Sequence, residues 1–311
     1  MGCHCGSVAK SDDNLIKETL SDSIRYCAYL LPCPKPDYVL IYDFQCFESR
    51  VVHLLLDPPL AEYSVAMNYP FLFVAGGVEK ETNKVSNKIW ATSAGSDEVS
   101  MSKSKLLSEA RKRLFLISGK EDNVYAIGGL TESDQQSKVC EKFEPGKDSL
   151  TKLPSISIDY DQIVGTKKYI FAFKRHDSRQ IVESLDMNKE HQGWISIVIK
   201  SSNSNELPIK YLDSFGVFSE NESSSKLIIF GGQEDYSEVQ KQVFILDVKM
   251  SKLEATRNNL PEPAKFLLPV TETEKTGFAL SESYKLFIYD KKKQSWKVRN
   301  SNIKSELVKK N

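Results

Sequence analysis

The 311 residues predict an all-β chain, a six-bladed β-propeller with a short N-terminal extension, on three observations. First, Gly76-Gly77, Gly128-Gly129 and Gly231-Gly232 each close a β-rich run. These runs are Phe71-Leu-Phe-Val-Ala, Val124-Tyr-Ala-Ile and Leu227-Ile-Ile-Phe. The pairs stand 52 and then 103 residues apart, one repeat and close to two. A strand-built repeat of about 50 residues marks a propeller array. Second, further β runs end in an apolar residue and an acid: Tyr42-Asp43, Phe143-Glu144, Leu185-Asp186, Leu246-Asp247 and Tyr289-Asp290. Polar turns follow, and Leu150, Trp194, Leu253 or Trp296 opens the next strand. Third, helical periodicity is scarce. It is confined to Ser11–Leu20, where Leu15, Ile16, Thr19 and Leu20 share a face.

The units follow in order. Residues 1–21 form the extension and residues 22–311 the propeller. An incomplete first unit gives strands near 38–44 and 50–56. Four fuller units lie near 62–107, 111–155, 158–208 and 211–260, and the last near 264–300. Val, Ile, Phe and Tyr suit half-buried pleats, and Asp and Gly suit the turns between them. The stretch Lys105–Arg113 reads as a connection between units. The first unit needs further strands: residues 22–31 could supply one, and the tail from Asn302 another. Joining both termini in one blade would close the ring and remove an exposed edge. Trp194 and Trp296 are expected at contacts between blades.

A strand ending in Gly-Gly, then a Tyr-Asp strand, then Trp about six residues later resembles the kelch repeat. Asp290 to Trp296 has that spacing, and Asp186 to Trp194 nearly so. The resemblance covers roughly residues 22–300 and rests on Gly76, Gly77, Gly128, Gly129, Gly231, Gly232, Tyr42, Asp43, Tyr289, Asp290, Trp194 and Trp296. Three units depart from it. The fourth reads Phe171-Ala-Phe-Lys and the last Gly277-Phe-Ala-Leu-Ser in place of Gly-Gly, and the second has Ile89-Trp-Ala-Thr-Ser without Tyr-Asp. The resemblance implies binding through loops on one face of the ring. It also brings in enzymes, since copper-radical oxidases and sugar-acid isomerases are kelch-like, and substrate receptors of ubiquitin ligases. Against the receptor reading, only about 20 residues precede the first strand.

The extension reads Met1-Gly2-Cys3-His4-Cys5-Gly6-Ser7. Gly2 after a removable Met meets the first requirement for myristoylation, although Gly6 stands where Ser or Thr is usual. Cys3 and Cys5 beside it suit palmitoylation. A single myristoyl chain binds only reversibly, so firm anchoring takes a second signal. Cys-His-Cys is too crowded for one tetrahedral metal site. Six cysteines form no disulfide framework, and the first thirty residues hold no secretory apolar core. The expected setting is cytoplasmic, at the inner face of a membrane or on the cytoskeleton.

Formal net charge is zero, so nothing draws the chain globally to nucleic acid. Lys291–Lys310 is locally basic, either a solvated turn and tail or a patch for an acidic partner or anionic lipid. The four histidines, His4, His53, His176 and His191, fall in no nucleophile, metal-protease or carboxylate-histidine motif. Gly-Gly here follows strands without opening helices, so it is no phosphate loop. The expectation is a non-enzymatic, monomeric protein-interaction scaffold without catalytic, metal or cofactor residues. The alternative is a small-molecule enzyme with its site at the channel mouth.

Overall fold

The computed structural model describes residues 26–30, 37–101, 104–119, 122–144, 147–176, 179–201, 214–221, 223, 225–233, 238–301 and 303. These residues form an all-β, six-bladed propeller. Its one described helical turn is the 3-10 segment Glu190–Gln192. The expected helix at Ser11–Leu20 lies outside the described residues.

Each blade has four strands, in order from the channel outward. Blade 1 is Tyr26–Leu30, Tyr38–Asp43, Glu48–Leu56 and Glu98–Met101; blade 2 is Ser64–Asn68, Phe71–Ala75, Lys88–Ser93 and Ser104–Leu106. Blade 3 is Phe115–Ser118, Val124–Ile127, Cys140–Phe143 and Thr151–Leu153. Blade 4 is Gln162–Gly165, Tyr169–His176, Arg179–Asp186 and Ile195–Ser201; blade 5 is Gly216–Ser219, Lys226–Phe230, Val243–Asp247 and Lys252–Ala255. Blade 6 is Thr271–Glu272, Thr276–Leu280, Lys285–Asp290 and Ser295–Asn300. Pairing within a blade is antiparallel, except that Glu98–Met101 runs parallel to Glu48–Leu56. The outer strands of blades 4 and 5 also meet in parallel, at Lys200↔Lys252 and Ser201↔Leu253.

Second strands sit between two neighbouring blades, so both their faces are covered. Leu72 to Ala75, Val124 to Ile127 and Leu227 to Phe230 are accordingly buried without a break. Outer strands keep one wet face: in Glu98–Met101, Val99 and Met101 are buried while Glu98 and Ser100 are exposed.

Six apolar clusters fill the six junctions. Trp90 and Val74 of blade 2 meet Val52 and Leu54 of blade 1, and Phe73 meets Leu116 and Val124 of blade 3. Ile127 and Ile170 join blades 3 and 4, and Phe171 and Phe215 join blades 4 and 5. Phe230 and Phe287 join blades 5 and 6, and Phe278 and Leu286 of blade 6 pack on Tyr42 and Leu40 of blade 1.

Among the described residues, closure uses one of the two candidate segments. Residues 26–30 supply the innermost strand of blade 1, within the proposed 22–31 segment. Its outermost strand comes from Glu98–Met101, inside the sequence unit assigned to blade 2. Among the described residues, no strand after Asn300 enters blade 1, and the tail beyond Ile303 lies outside them. Side-chain packing and the Tyr29 hydroxyl, which donates to Pro269 O at 3.0 Å, join blade 1 to blade 6. The strand Glu98–Met101 covers the outer edge of blade 1.

Candidate functional site

The double glycines lie at blade junctions. All six have positive φ, from +61° to +99°, where a side chain is rarely accommodated. In each pair the first N–H bonds within the blade: Gly76 to Lys88 O, Gly128 to Val139 O and Gly231 to Gln242 O. The second N–H reaches the next connection. Gly77 donates to Arg111 O at 3.0 Å, Gly232 to Ala264 O at 2.9 Å, and Gly129 to the Tyr160 hydroxyl at 2.7 Å. A methyl group on Gly76 would overlap the Arg111 carbonyl oxygen, and one on Gly128 would overlap the Tyr160 hydroxyl. The Tyr160 hydroxyl also donates to Ser137 O at 2.8 Å, and burial pushes its pKa up to about 12.

The strand-ending aspartates order the turns that follow them. Asp43 Oδ1 accepts from the N–H groups of Gln45 and Cys46, and Asp186 Oδ1 from that of Asn188. Asp247 Oδ1 accepts from Met250 N, and Asp290 Oδ1 from the N–H groups of Lys292 and Lys293. Four residues after three of these aspartates stand Phe47, Ser251 and Gln294, with φ of 58°, 53° and 51°. The carboxylate thus organises a hairpin turn whose last residue is left-handed.

The aromatic members of the pattern sit between blades. Tyr42 is buried at the junction of blades 1 and 6, edge-on to Phe44 at 4.9 Å. Its hydroxyl has no hydrogen-bond partner among the described residues. Trp296 lies 4.7 Å from Tyr289 and 4.8 Å from Phe230, in the cluster joining blades 5 and 6. Trp194 packs with the cluster of blades 3 and 4 and donates Nε1–H to Pro154 O at 2.9 Å.

Gly2, Cys3, Cys5 and His4 lie outside the described residues. His53 stacks on Tyr38 at 4.7 Å and faces Glu98 at 3.3 Å, an exposed pair on adjacent strands. Cys27 and Cys140 are buried, and burial raises their thiols to about 12 and about 11. Part of the basic stretch is neutralised: Lys291 Nζ meets Glu272 Oε2 at 2.8 Å, and Lys293 lies 3.7 Å from Asp290. Among the described residues no group of three or more His, Cys, Asp or Glu is arranged to hold a metal ion, and no helix is long and apolar enough to cross a membrane.

Two concavities stand out among the described residues. The first lies at the ring centre and measures about 280 Å³. Inner strands supply Val65, Leu116, Ile117, Ile163 and Val164, and the segment entering blade 6 supplies Leu267 to Val270. Among the described residues Tyr29 is its one titratable wall residue; burial holds its hydroxyl well above the usual tyrosine range.

The second is a polar hollow of about 450 Å³ between blades 3 and 4. There Glu190 accepts from the Tyr125 hydroxyl and from Lys142 Nζ, the latter at 2.8 Å. Lys142 also lies 3.4 Å from Glu144 Oε1. Burial works against the Lys142 ammonium, but Glu190 and Glu144 outweigh it and raise the pKa. Hydrogen bonds from Lys147 and Thr151 bring the Glu144 carboxyl down to about 2. Both carboxylates are thereby occupied as acceptors.

Sequence reasoning missed the buried Arg111–Glu141 pair. Arg111 is fully buried, contacts Glu141 Oε2 at 2.5 Å and donates to Gly128 O and Val139 O at 2.9 and 2.8 Å. Glu141 Oε1 accepts from Ser108 N at 2.8 Å, much as Glu183 accepts from Ser157 N at 2.9 Å one blade on. The readable signal was an acid three residues before the strand-ending acid in both units: Glu141 before Glu144, and Glu183 before Asp186. No protein-family model matches this chain, and no curated protein matches it.

Proposed function

We propose that the chain is a kelch-type propeller acting as a non-enzymatic, monomeric protein-interaction scaffold in the cytoplasm. One face of the ring presents loops to a protein partner, and acyl groups on Gly2, Cys3 and Cys5 hold the ring at a membrane. The carrying observation is how the motif residues are used. Glycines, aspartates and tryptophans are spent on turns and blade junctions, and six apolar clusters hold the blades together. A scaffold so braced leaves its loops available for recognition. The central wall supports this reading over an enzyme at the channel mouth, because among the described residues its lining includes no carboxylate, histidine or lysine. Assignment from fold type is analogy, so the test must be direct.

The intact protein serves as bait in a pull-down, with an unrelated six-bladed propeller as control. Mass spectrometry should find a protein enriched on the bait alone, and grafting control loops onto one face should abolish the capture. Saturable turnover of a small substrate, with no such partner, would overturn the reading. Anchoring is tested by fractionation. Gly2→Ala should release the protein into the soluble fraction, and Cys3→Ser with Cys5→Ser should leave only reversible binding. A fully soluble wild type with an unmodified N-terminus by intact mass would refute the anchor and leave the scaffold reading standing.

A further inference from the structure

The central cavity has a mostly apolar wall. It measures about 280 Å³, against about 150 Å³ for an engineered aliphatic cavity that stays dry and takes up benzene. Blades 2, 3 and 4 offer it Val65, Leu116 and Ile163, and the approach to blade 6 offers Leu268 and Val270. Its two hydroxyl groups are committed elsewhere. Tyr29 donates to Pro269 O at 3.0 Å, and Ser64 Oγ donates to Leu114 O. Among the described residues no charged side chain stands on the wall, so an ionised ligand would lose its hydration without gaining a counter-charge. A peptide segment is disfavoured too, because its backbone groups would have to leave water. Water gains little where the side chains offer so few polar partners.

We infer that this cavity is a binding site for a small, neutral, apolar molecule of the size of one substituted aromatic ring. The site is independent of the protein-partner reading, because it is tested on the isolated chain.

Toluene and benzoate are the probes, since they are close in size and differ in charge. Ligand-observed NMR and thermal melting are followed as each is titrated into the full-length protein. Toluene should bind saturably and raise the melting temperature, and benzoate should bind at least tenfold more weakly. Val65 and Val270 are half-buried on the wall, so a larger side chain at either fills the space without entering a closed core. Val270→Phe should weaken toluene at least tenfold while the ligand-free protein melts as the wild type does. If Val270→Phe fails to fold, Val65→Phe carries the same comparison. Absence of saturable toluene binding by the wild type would overturn the proposal. So would benzoate binding as tightly as toluene, or toluene binding unchanged in a folded filling variant.

Discussion

Gly128→Ala tests whether the double glycines are junction parts. Gly128 has φ of +61°, and its added methyl would overlap the Tyr160 hydroxyl and crowd the ring carbon Cζ. The left-handed backbone costs about 1 kcal/mol with a side chain present. Moving Tyr160 breaks its bonds with Gly129 N and Ser137 O, at 2.7 and 2.8 Å, and leaves buried groups unmatched for about 1–3 kcal/mol more. The expected loss is therefore about 3 kcal/mol. Gly193→Ala shows backbone strain without a clash: φ is +75° and ψ −167°, an essentially glycine-only region, and the nearest atom to its methyl is Pro154 Cβ at 3.5 Å, so about 1–3 kcal/mol is expected. Tyr160→Phe removes the oxygen that the methyl meets. The double variant should thus lose less than the sum of the singles, with a coupling of about 1 kcal/mol. Urea unfolding midpoints of the four variants and the wild type, compared at equal slope, supply the numbers. The reasoning fails if Gly128→Ala loses no more than the backbone share of about 1 kcal/mol, or if the double variant is additive. Gly76→Ala should cost at least as much, because there the methyl meets the Arg111 carbonyl, which cannot rotate aside.

Arg111→Met leaves the Glu141 carboxylate buried without its partner and should cost about 3–5 kcal/mol in urea unfolding. Adding Glu141→Leu should recover much of that loss; a double variant as unstable as the single would refute a pairwise role. Trp296→Ala should cost about 3 kcal/mol by the same measurement, since the indole packs on Phe230 and Tyr289. Trp296→Phe should cost less, because the indole Nε1–H is buried without a partner among the described residues. Hydrogen bonds from Lys147 and Thr151 hold Glu144 near 2 against a usual 4.5, so folding favours its charged form. That stability is full above about pH 4.5 and is lost as pH falls toward 2. Glu144→Gln should flatten this acid limb in melts between pH 2 and 6, and an unchanged limb would refute the assignment.

The strand repeat was legible because blade junctions impose the same local demands again and again. A backbone that must turn left-handed against the next connection demands Gly, and a hairpin turn with free N–H groups demands Asp. Gly76-Gly77, Gly128-Gly129 and Gly231-Gly232 write the first demand, and Asp43, Asp186, Asp247 and Asp290 the second. The departures also have a local reason. In blade 4 the second and third strands pair without a break from Tyr169↔Asp186 to His176↔Arg179. The chain runs straight through Phe171-Ala-Phe-Lys, where blades 2, 3 and 5 turn, and no glycine is called for. Glu98–Met101 stayed hidden because it pairs with a strand more than forty residues earlier. Its alternating burial is that of any outer strand and does not name the partner.

Function was less legible for a related reason. A repeated residue in this chain answers a need that recurs six times around the ring, whereas a binding site occurs once. The central cavity illustrates this. Its wall takes Val65 from blade 2, Leu116 from blade 3, Ile163 from blade 4 and Val270 from the entry to blade 6. Each is an ordinary strand or linker residue in its own unit. Inner strands show near-continuous burial whether they face a neighbouring blade or the channel. Only the closed ring turns four unremarkable aliphatic positions, spread over more than two hundred residues, into one apolar enclosure. On a smaller scale, the connection out of blade 2 lays Arg111 onto Glu141 in blade 3. Single-copy features of this kind appear where two blades meet, and the repeat that predicts the meeting says nothing of what each blade carries to it.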